Sequence, residues 1–334
     1  MSHSDTPRQS FLTVGSLLAG RLRLAVLVLA VVAIALVFPF PVEGRLWRHI
    51  FNLAHAPTFF CMFLIIVGLL DPSAIGPSNR IATVLPMTVA RTAAVASLLM
   101  VLGIVAEVLQ AFAGRSPSLK DVAANSAGLL AAFVWISGTG SSVLKRGLSV
   151  LIVILVLAAT SFTPLMNIRD CVDQLRLMPQ LASFERPLEL GSWKVRNATM
   201  TRSTEWSTDG EHSLKVQLQA ARYPSLSFFW PAADWQGYQM FAVDFRNPAD
   251  TPLTLTVKVQ DRQHGLSGMG RSDRFSRNVV LASGEVRTVA IAVSDIRQAP
   301  KNRSMQMDQI SLVEVFASGL KERAGFFVDN LRLE

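Results

Sequence analysis

Up to about residue 165 the chain alternates long apolar runs with short polar or charged stretches. The runs fall at about 24–39, 50–70, 92–112, 119–137 and 148–165. Most are close to the ~20 residues a helix needs to cross ~30 Å of hydrocarbon, and the first and last are short enough that they would run nearly upright. Arg21 and Arg23 ahead of the first run give it the outline of a secretory signal. However, Phe38-Pro-Phe-Pro-Val42 offers no small-residue cleavage site and further apolar segments follow, so the run reads as a transmembrane helix. Beyond about residue 180 the pattern switches to period two, at Ser213–Leu218, Met240–Phe245, Leu253–Val259, Val286–Val293 and Phe326–Leu333. Turn signals separate these segments at Thr208-Asp-Gly210, Asn247–Asp250 and Ser283-Gly284, and one helical turn fits Val293–Gln298. Short alternating strands at this spacing predict a β-sandwich. The expected architecture is therefore an α-helical transmembrane bundle of five helices over 1–165, a linker at 166–182, and an all-β sandwich of jelly-roll type over 183–334.

Charge adds orientation. With the N-terminus inside, the inner segments carry Arg8, Arg21, Arg23, Arg80, Arg91, Lys145 and Arg146, against Arg45, Arg48, Arg115 and Lys120 outside. That bias predicts a cytoplasmic N-terminus and, after five crossings, an extracytoplasmic sandwich. The expected location is the bacterial inner membrane. The net charge of +8 does not indicate nucleic acid, because no basic cluster with interleaved aromatics occurs. The two cysteines, Cys61 and Cys171, have no metal-binding spacing.

Candidate chemistry breaks the apolar pattern at Glu107–Gly128. Charges at membrane depth cost about 2.5–3.5 kcal/mol each on insertion scales, so they persist where they pair, line a cavity or react. Glu107 and Gln110 share one helix face, and Asp121 and Asn125 share a face of the next. Gly114–Ser118 forms a tight turn with Ser118 placed to cap the fourth helix, which makes the two helices antiparallel neighbours. Gly128 permits close approach. His55 enters the second helix from the same side.

The set His55, Glu107, Gln110, Arg115, Ser118, Asp121, Asn125 and Gly128 resembles the VanZ-like membrane family over about residues 24–140. The sequence departs from that family at Ala54, where a polar residue often precedes the histidine. The resemblance implies a small helical membrane protein of the cell envelope and leaves its biochemical activity open. Read from the residues, the cluster is either a buried network locking three helices, a ligand or lipid-headgroup site, or a catalytic group. As a ligand site, Arg115 and His55 suit a phosphate or carboxylate. For catalysis, His55 with Glu107 or Asp121 is a candidate acid/base set. No nucleophile or metal-ligand set is evident beside them.

The second half resembles the jelly-roll domains of carbohydrate-binding modules. The residues that carry this are Ser183-Phe-Glu185, Gly210–Val216, Asp234-Trp-Gln-Gly-Tyr238, Phe241–Phe245 and Phe327–Leu333. The resemblance implies glycan binding, and it sets Glu185 and Asp329 at positions that in such modules hold a structural calcium. No other cofactor is expected. Trp206, Tyr223, Tyr238, His264 and Arg274 are the candidate glycan contacts, while Trp230 and Trp235 fit the core. No pair of carboxylates at glycosidase spacing is recognisable.

The leading expectation is non-catalytic recognition of a surface polysaccharide or lipid-linked glycan at the lipid bilayer. The alternatives are an enzyme acting on an envelope glycolipid through His55, Glu107 and Asp121, and an assembly subunit of polysaccharide export with envelope proteins as partners.

Overall fold

The computed structural model describes residues 19–31, 44–75, 86–112, 118–139, 141–229, 234–266 and 270–334. The chain divides into two compact units, 1–168 and 169–334. The first is helical. α1 covers 19–31, and the rest of the first expected helix lies outside the described residues. α2 spans Arg45–Leu70, α3 Val89–Phe112, α4 Leu119–Gly138 and α5 Val143–Arg176. Among the described residues four helices, α2 to α5, are long and apolar enough to cross a membrane by length and composition, rather than the five expected.

Local chemistry sets the helix ends. Gly44, at φ 122°, turns the chain into α2. Asp71 ends that helix and then accepts from the amides of Ser73 and Met87, at 3.1 and 2.8 Å. Ser118 caps α4 by accepting from the Asp121 amide at 3.3 Å, as its position predicts. Phe59, Phe63, Val67, Leu99, Leu129 and Ala132 form the shared core of α2, α3 and α4. At Gly128 a side chain would collide with the Ala56 carbonyl, so glycine is what lets α4 lie against α2. The outward faces of α3 and α5 are apolar, with Val101, Val105, Val108, Ile154, Leu155 and Phe162 exposed.

The expected linker at 166–182 is not a linker. α5 continues to Arg176, and Gln180–Ala182 is already a strand. Arg169 and Arg176 each reach Asp173 at 3.7 Å, one turn away in either direction, and such pairs support a helix beyond its apolar part.

The second unit is a two-layer antiparallel sandwich. Its strands are β1 (Gln180–Ala182), β2 (Trp193–Arg196), β3 (Ala198–Ser203), β4 (Ser213–Leu218), β5 (Ser225–Phe229), β6 (Met240–Arg246), β7 (Leu253–Asp261), β8 (Phe275–Leu281), β9 (Val286–Ala292), β10 (Ile310–Phe316) and β11 (Ala324–Leu333). One sheet runs β3-β4-β11-β6-β9, with β1 also on β11, and the other runs β2-β5-β10-β7-β8. The C-terminal strand is thus central, paired with β4 and β6. Two short helices, α6 (Arg262–Leu266) and α7 (Val293–Gln298), sit in the connections.

Inward residues alternate along every central strand, as in Leu214, Val216 and Leu218 of β4 or Val313 and Val315 of β10. Trp193 stacks on Phe228 at 4.4 Å between ring centres, and Trp235 on Phe241 at 5.1 Å. Trp235 is fully buried, as expected; Trp230 falls outside the described residues.

Candidate functional site

Three helices contribute to one polar cluster in the first unit. α2 brings His55, α3 brings Glu107, and α4 brings Asp121 and Asn125. His55, Glu107 and Asn125 are 7%, 4% and 2% exposed, in a helical unit whose core is made of apolar side chains such as Phe59, Met62, Ile66, Val67 and Leu99. His55 Nδ1 lies 2.9 Å from Asn125 Oδ1. On the other side of the ring, Nε2 stands 4.0 Å from Asp121 Oδ2. Glu107 Oε2 accepts from the Ser118 amide at 3.1 Å, so the carboxylate of α3 holds the first residue before α4. One donor atom from each of His55, Glu107 and Asp121 lies within 4.8 Å of the other two.

Glycines permit this convergence. A Cβ at Gly103 would stand 3.0 Å from the Phe59 ring and 3.3 Å from Asn125 Nδ2, so α3 presses on both neighbours where the amide sits. The expectation that His55, Glu107, Ser118, Asp121 and Asn125 converge matches this geometry. Gln110 follows Glu107 on α3, and Arg115 lies outside the described residues. The sequence set His55, Glu107 and Asp121 together as an acid/base group and expected no metal-ligand set beside them. Among the described residues, His55, Glu107 and Asp121 are the one group of three or more such side chains drawn together. Their separation in sequence keeps them from reading as a metal motif, since metal spacings are recognised over short intervals.

The glycan candidates of the sandwich do not gather. Trp206 is half-buried and packs on Phe327, 6.0 Å between ring centres, on the six-stranded sheet. Tyr223 precedes β5 of the other sheet, edge-on to Phe316 at 6.1 Å, with its hydroxyl 3.2 Å from Arg271 Nη2. Tyr238 packs against the core. Arg274 is half-buried. His264 is 1% exposed and offers no face to a sugar. It belongs to a latch. Its amide donates to Asp261 Oδ1 at 3.0 Å, and its Nδ1 lies 3.1 Å from the Asp273 carbonyl. Arg303 closes the latch, with its Nη1 and Nη2 on Asp261 at 2.5 and 2.8 Å and its Nε on Asp273 at 2.6 Å. Burial works against the Asp261 charge, but Arg303 and the amides of Gln306 and His264 outweigh it and hold the carboxyl below its usual range.

Glu185 and Asp329 both grip the turn at 208–212. Glu185 Oε1 accepts from the amides of Glu211 and His212 at 2.9 and 2.7 Å. Asp329 Oδ2 accepts from those of Thr208 and Asp209 at 2.7 and 3.1 Å. Calcium takes six to eight oxygens. Here N–H donors meet the carboxylates, so the residues present form a turn latch rather than an oxygen cage. Burial pushes the Asp329 carboxyl up despite these amides.

The outward face of the five-stranded sheet collects groups that sequence reading missed. Registers Ser227↔Glu314 and Glu314↔Lys258 put three side chains in one row across β5, β10 and β7. Lys258 Nζ lies 2.9 Å from Glu314 Oε2, Ser227 Oγ 3.4 Å from Glu314 Oε1, and Arg196 Nη2 3.9 Å from the same oxygen. In the next row Thr256 Oγ1 donates to Asn278 Oδ1 at 2.9 Å, and Phe316 stands between Thr256 and Ser225. Ser225, Ser227, Thr256 and Lys258 are all buried although they point away from the core, so this face is recessed. Burial disfavours the Glu314 charge, yet Lys258 outweighs it and keeps the carboxyl below its usual range. The alternation Thr254, Thr256, Lys258, Gln260 along β7 was the available signal.

No family model matches the chain. It is similar to β-agarase A of Vibrio sp. (strain JT0107), 37% identical over 65 residues, which are 20% of this chain and 6% of the agarase. It is also similar to β-agarase B of the same organism, 34% identical over 123 residues, 32% of this chain and 13% of that one. Both matches thus span a small part of the curated relatives. Among solved structures, a family 11 carbohydrate-binding module from Clostridium thermocellum, in complex with a β-1,3-1,4-mixed-linked tetrasaccharide, aligns with 46% of this chain and 93% of its own. The TM-score is 0.36 at 15% identity.

Proposed function

We propose that this chain is a cell-envelope membrane protein that recognises a polysaccharide through its sandwich without cleaving it. The observation that carries the reading is the recessed face of the five-stranded sheet. There a carboxylate, an ammonium, three hydroxyls and an amide line a shallow floor beside Phe316. Sugar rings present paired hydroxyls and an apolar face, which such a surface matches with hydrogen bonds and a ring contact. The segments shared with two agarases support a neutral galactan of the agar type as the first ligand to try. The chain covers 6% and 13% of those enzymes, which favours a shared binding module over shared catalysis. The helices α1 to α5 would anchor the module in the cytoplasmic membrane, N-terminus inside and sandwich outside. The VanZ-like motif supports that envelope setting.

The test is affinity electrophoresis of the full chain in detergent through gels containing agarose, a mixed-linked β-glucan or no polysaccharide. Retardation by one polysaccharide is expected. Migration unchanged by every polysaccharide contradicts the reading.

A second reading has its own support in the helical cluster. His55 close to the carboxylates of Glu107 and Asp121 is the arrangement that an acid/base step on an envelope glycolipid would use. Turnover of a lipid-linked glycan that is lost in His55→Ala would favour this reading over recognition.

A further inference from the structure

We propose that His55, Glu107 and Asp121 bind one first-row divalent cation, of the zinc or manganese class, between α2, α3 and α4. The proposal goes beyond polysaccharide recognition and does not depend on it, since it concerns the other unit of the chain.

Four observations carry it. The first is the separation of the donor atoms. One from each residue lies within 4.8 Å of the others, and His55 Nε2 is 4.0 Å from Asp121 Oδ2. That is too long for a direct hydrogen bond. It is near the ~3–4 Å that separates ligand atoms around an ion bonded at about 2.0–2.2 Å. A small rotation of the two carboxylates closes the remainder.

The second is the histidine tautomer. Asn125 Oδ1 lies 2.9 Å from Nδ1 and can only accept there, so in the neutral ring the proton sits on Nδ1 and the Nε2 lone pair faces Asp121. A ligating histidine is held in this way, its far nitrogen donating to a fixed oxygen.

The third is charge. Two carboxylates and an imidazole nitrogen come together, with Glu107 4%, His55 7% and the Asp121 side chain 17% exposed. Among the described residues no lysine or arginine pairs with either carboxylate. A cation removes that repulsion.

The fourth is support outside the ligand set. The Ser118 amide fixes the Glu107 carboxylate at 3.1 Å, and the Ser118 hydroxyl holds the backbone amide of Asp121 at 3.3 Å, so the cap of α4 orients one carboxylate and anchors the backbone that carries the other. Mixed nitrogen and oxygen donors suit a first-row divalent ion better than magnesium or calcium. Three protein ligands leave a coordination position open to water or to a phosphoryl or carboxylate oxygen.

The experiment strips the full chain in detergent with a chelator, dialyses it against ZnCl2 or MnCl2 alone, and measures bound metal by elemental analysis. Wild type is expected to hold about one equivalent of one of the two metals. His55→Ala and Glu107→Gln are each expected to hold less than about a tenth of that, since each removes one of three ligands. Asn125→Ala should weaken binding about 10–100-fold, because it frees the imidazole without removing a ligand. Glu205→Gln, an exposed carboxylate of the other unit, should bind as wild type. A readout on wild type alone guards against variants that fail to fold: after loading with CoCl2, the visible absorption should report nitrogen and oxygen ligation. Failure of wild type to bind either metal overturns the proposal. Full metal binding by a folded His55→Ala, Glu107→Gln double variant overturns it as well.

Discussion

The helical cluster and the recessed sheet face are both small groups of polar side chains, but they relate to their surroundings in opposite ways. In the helices every polar group is an exception. His55, Glu107 and Asn125 are buried in a unit whose core is Phe59, Phe63, Leu99 and Leu129, with Asp121 beside them, where an unpaired charge is costly. Each therefore stands out in the sequence. In the sandwich every second residue of a strand is polar by rule, so Lys258 and Glu314 look like any solvent-facing pair. Only the register of β10 against β5 and β7 reveals that they share a recess. Polar residues are informative in proportion to how much their background resists them.

The largest expected effect tests whether the sandwich depends on its own buried ion network. Arg303→Ala leaves Asp261, which is fully buried, without its bidentate partner. Breaking such a pair costs about 3–5 kcal/mol. Thermal unfolding of the sandwich should move down accordingly while metal binding in the helices is retained. Loss of both properties together would mean that the two regions are not energetically separate.

The next effect is a pH dependence confined to the sandwich. Burial raises the Glu189 carboxyl from 4.5 to about 7, against the opposing pull of Arg186 and of the amides of Phe184 and Ser183. Its folded pKa is above its unfolded one, so the folded state binds more protons between those values. Stability should fall as pH rises from about 4.5 to about 7 and level off above that, by roughly 3 kcal/mol in all. Glu189→Gln should abolish this slope. A slope that persists in the variant assigns it to another group.

A smaller effect tests the helical unit. Gly128→Ala places a methyl against the Ala56 carbonyl, and overpacking of this kind costs about 1–3 kcal/mol. Because Gly128 lies one turn past Asn125, the substitution should also weaken metal binding, whereas polysaccharide retardation should not change. Unaltered metal binding would remove the link between helix approach and the cluster.

The legibility of the chain follows the same contrast. Ser118, Asp121 and Asn125 could be set on one face of α4 and opposite Glu107 from spacing alone, because helix period and a short turn determine both. The bond from His55 to Asn125 could not, since it depends on how far α2 slides along α4, which Gly128 and Ala56 decide. That His55, Glu107 and Asp121 draw within 4.8 Å of one another depends on the same packing of three helices. Strands β4, β6, β7, β9 and β11 alternate cleanly and were readable. β5 and β10 were not, for Ser225–Phe229 and Ile310–Phe316 mix small, charged and apolar residues on their outer face. α5 outran its apolar stretch because Arg169, Asp173 and Arg176 extend it with polar pairs that a hydropathy reading treats as linker. His264 has the ring of a sugar contact in sequence, but the fold buries it to close the Asp261–Arg303 latch.

The most direct test of polysaccharide recognition is calorimetric titration of the full chain in detergent with agar-derived oligosaccharides, on wild type, Glu314→Gln and Glu107→Gln. Saturable binding is predicted for wild type. Glu314→Gln should weaken it about tenfold or more, the loss of one charge-assisted hydrogen bond, and Glu107→Gln should leave it unchanged. Binding that survives Glu314→Gln but disappears with Glu107→Gln would contradict the account and move recognition from the sheet face to the helices.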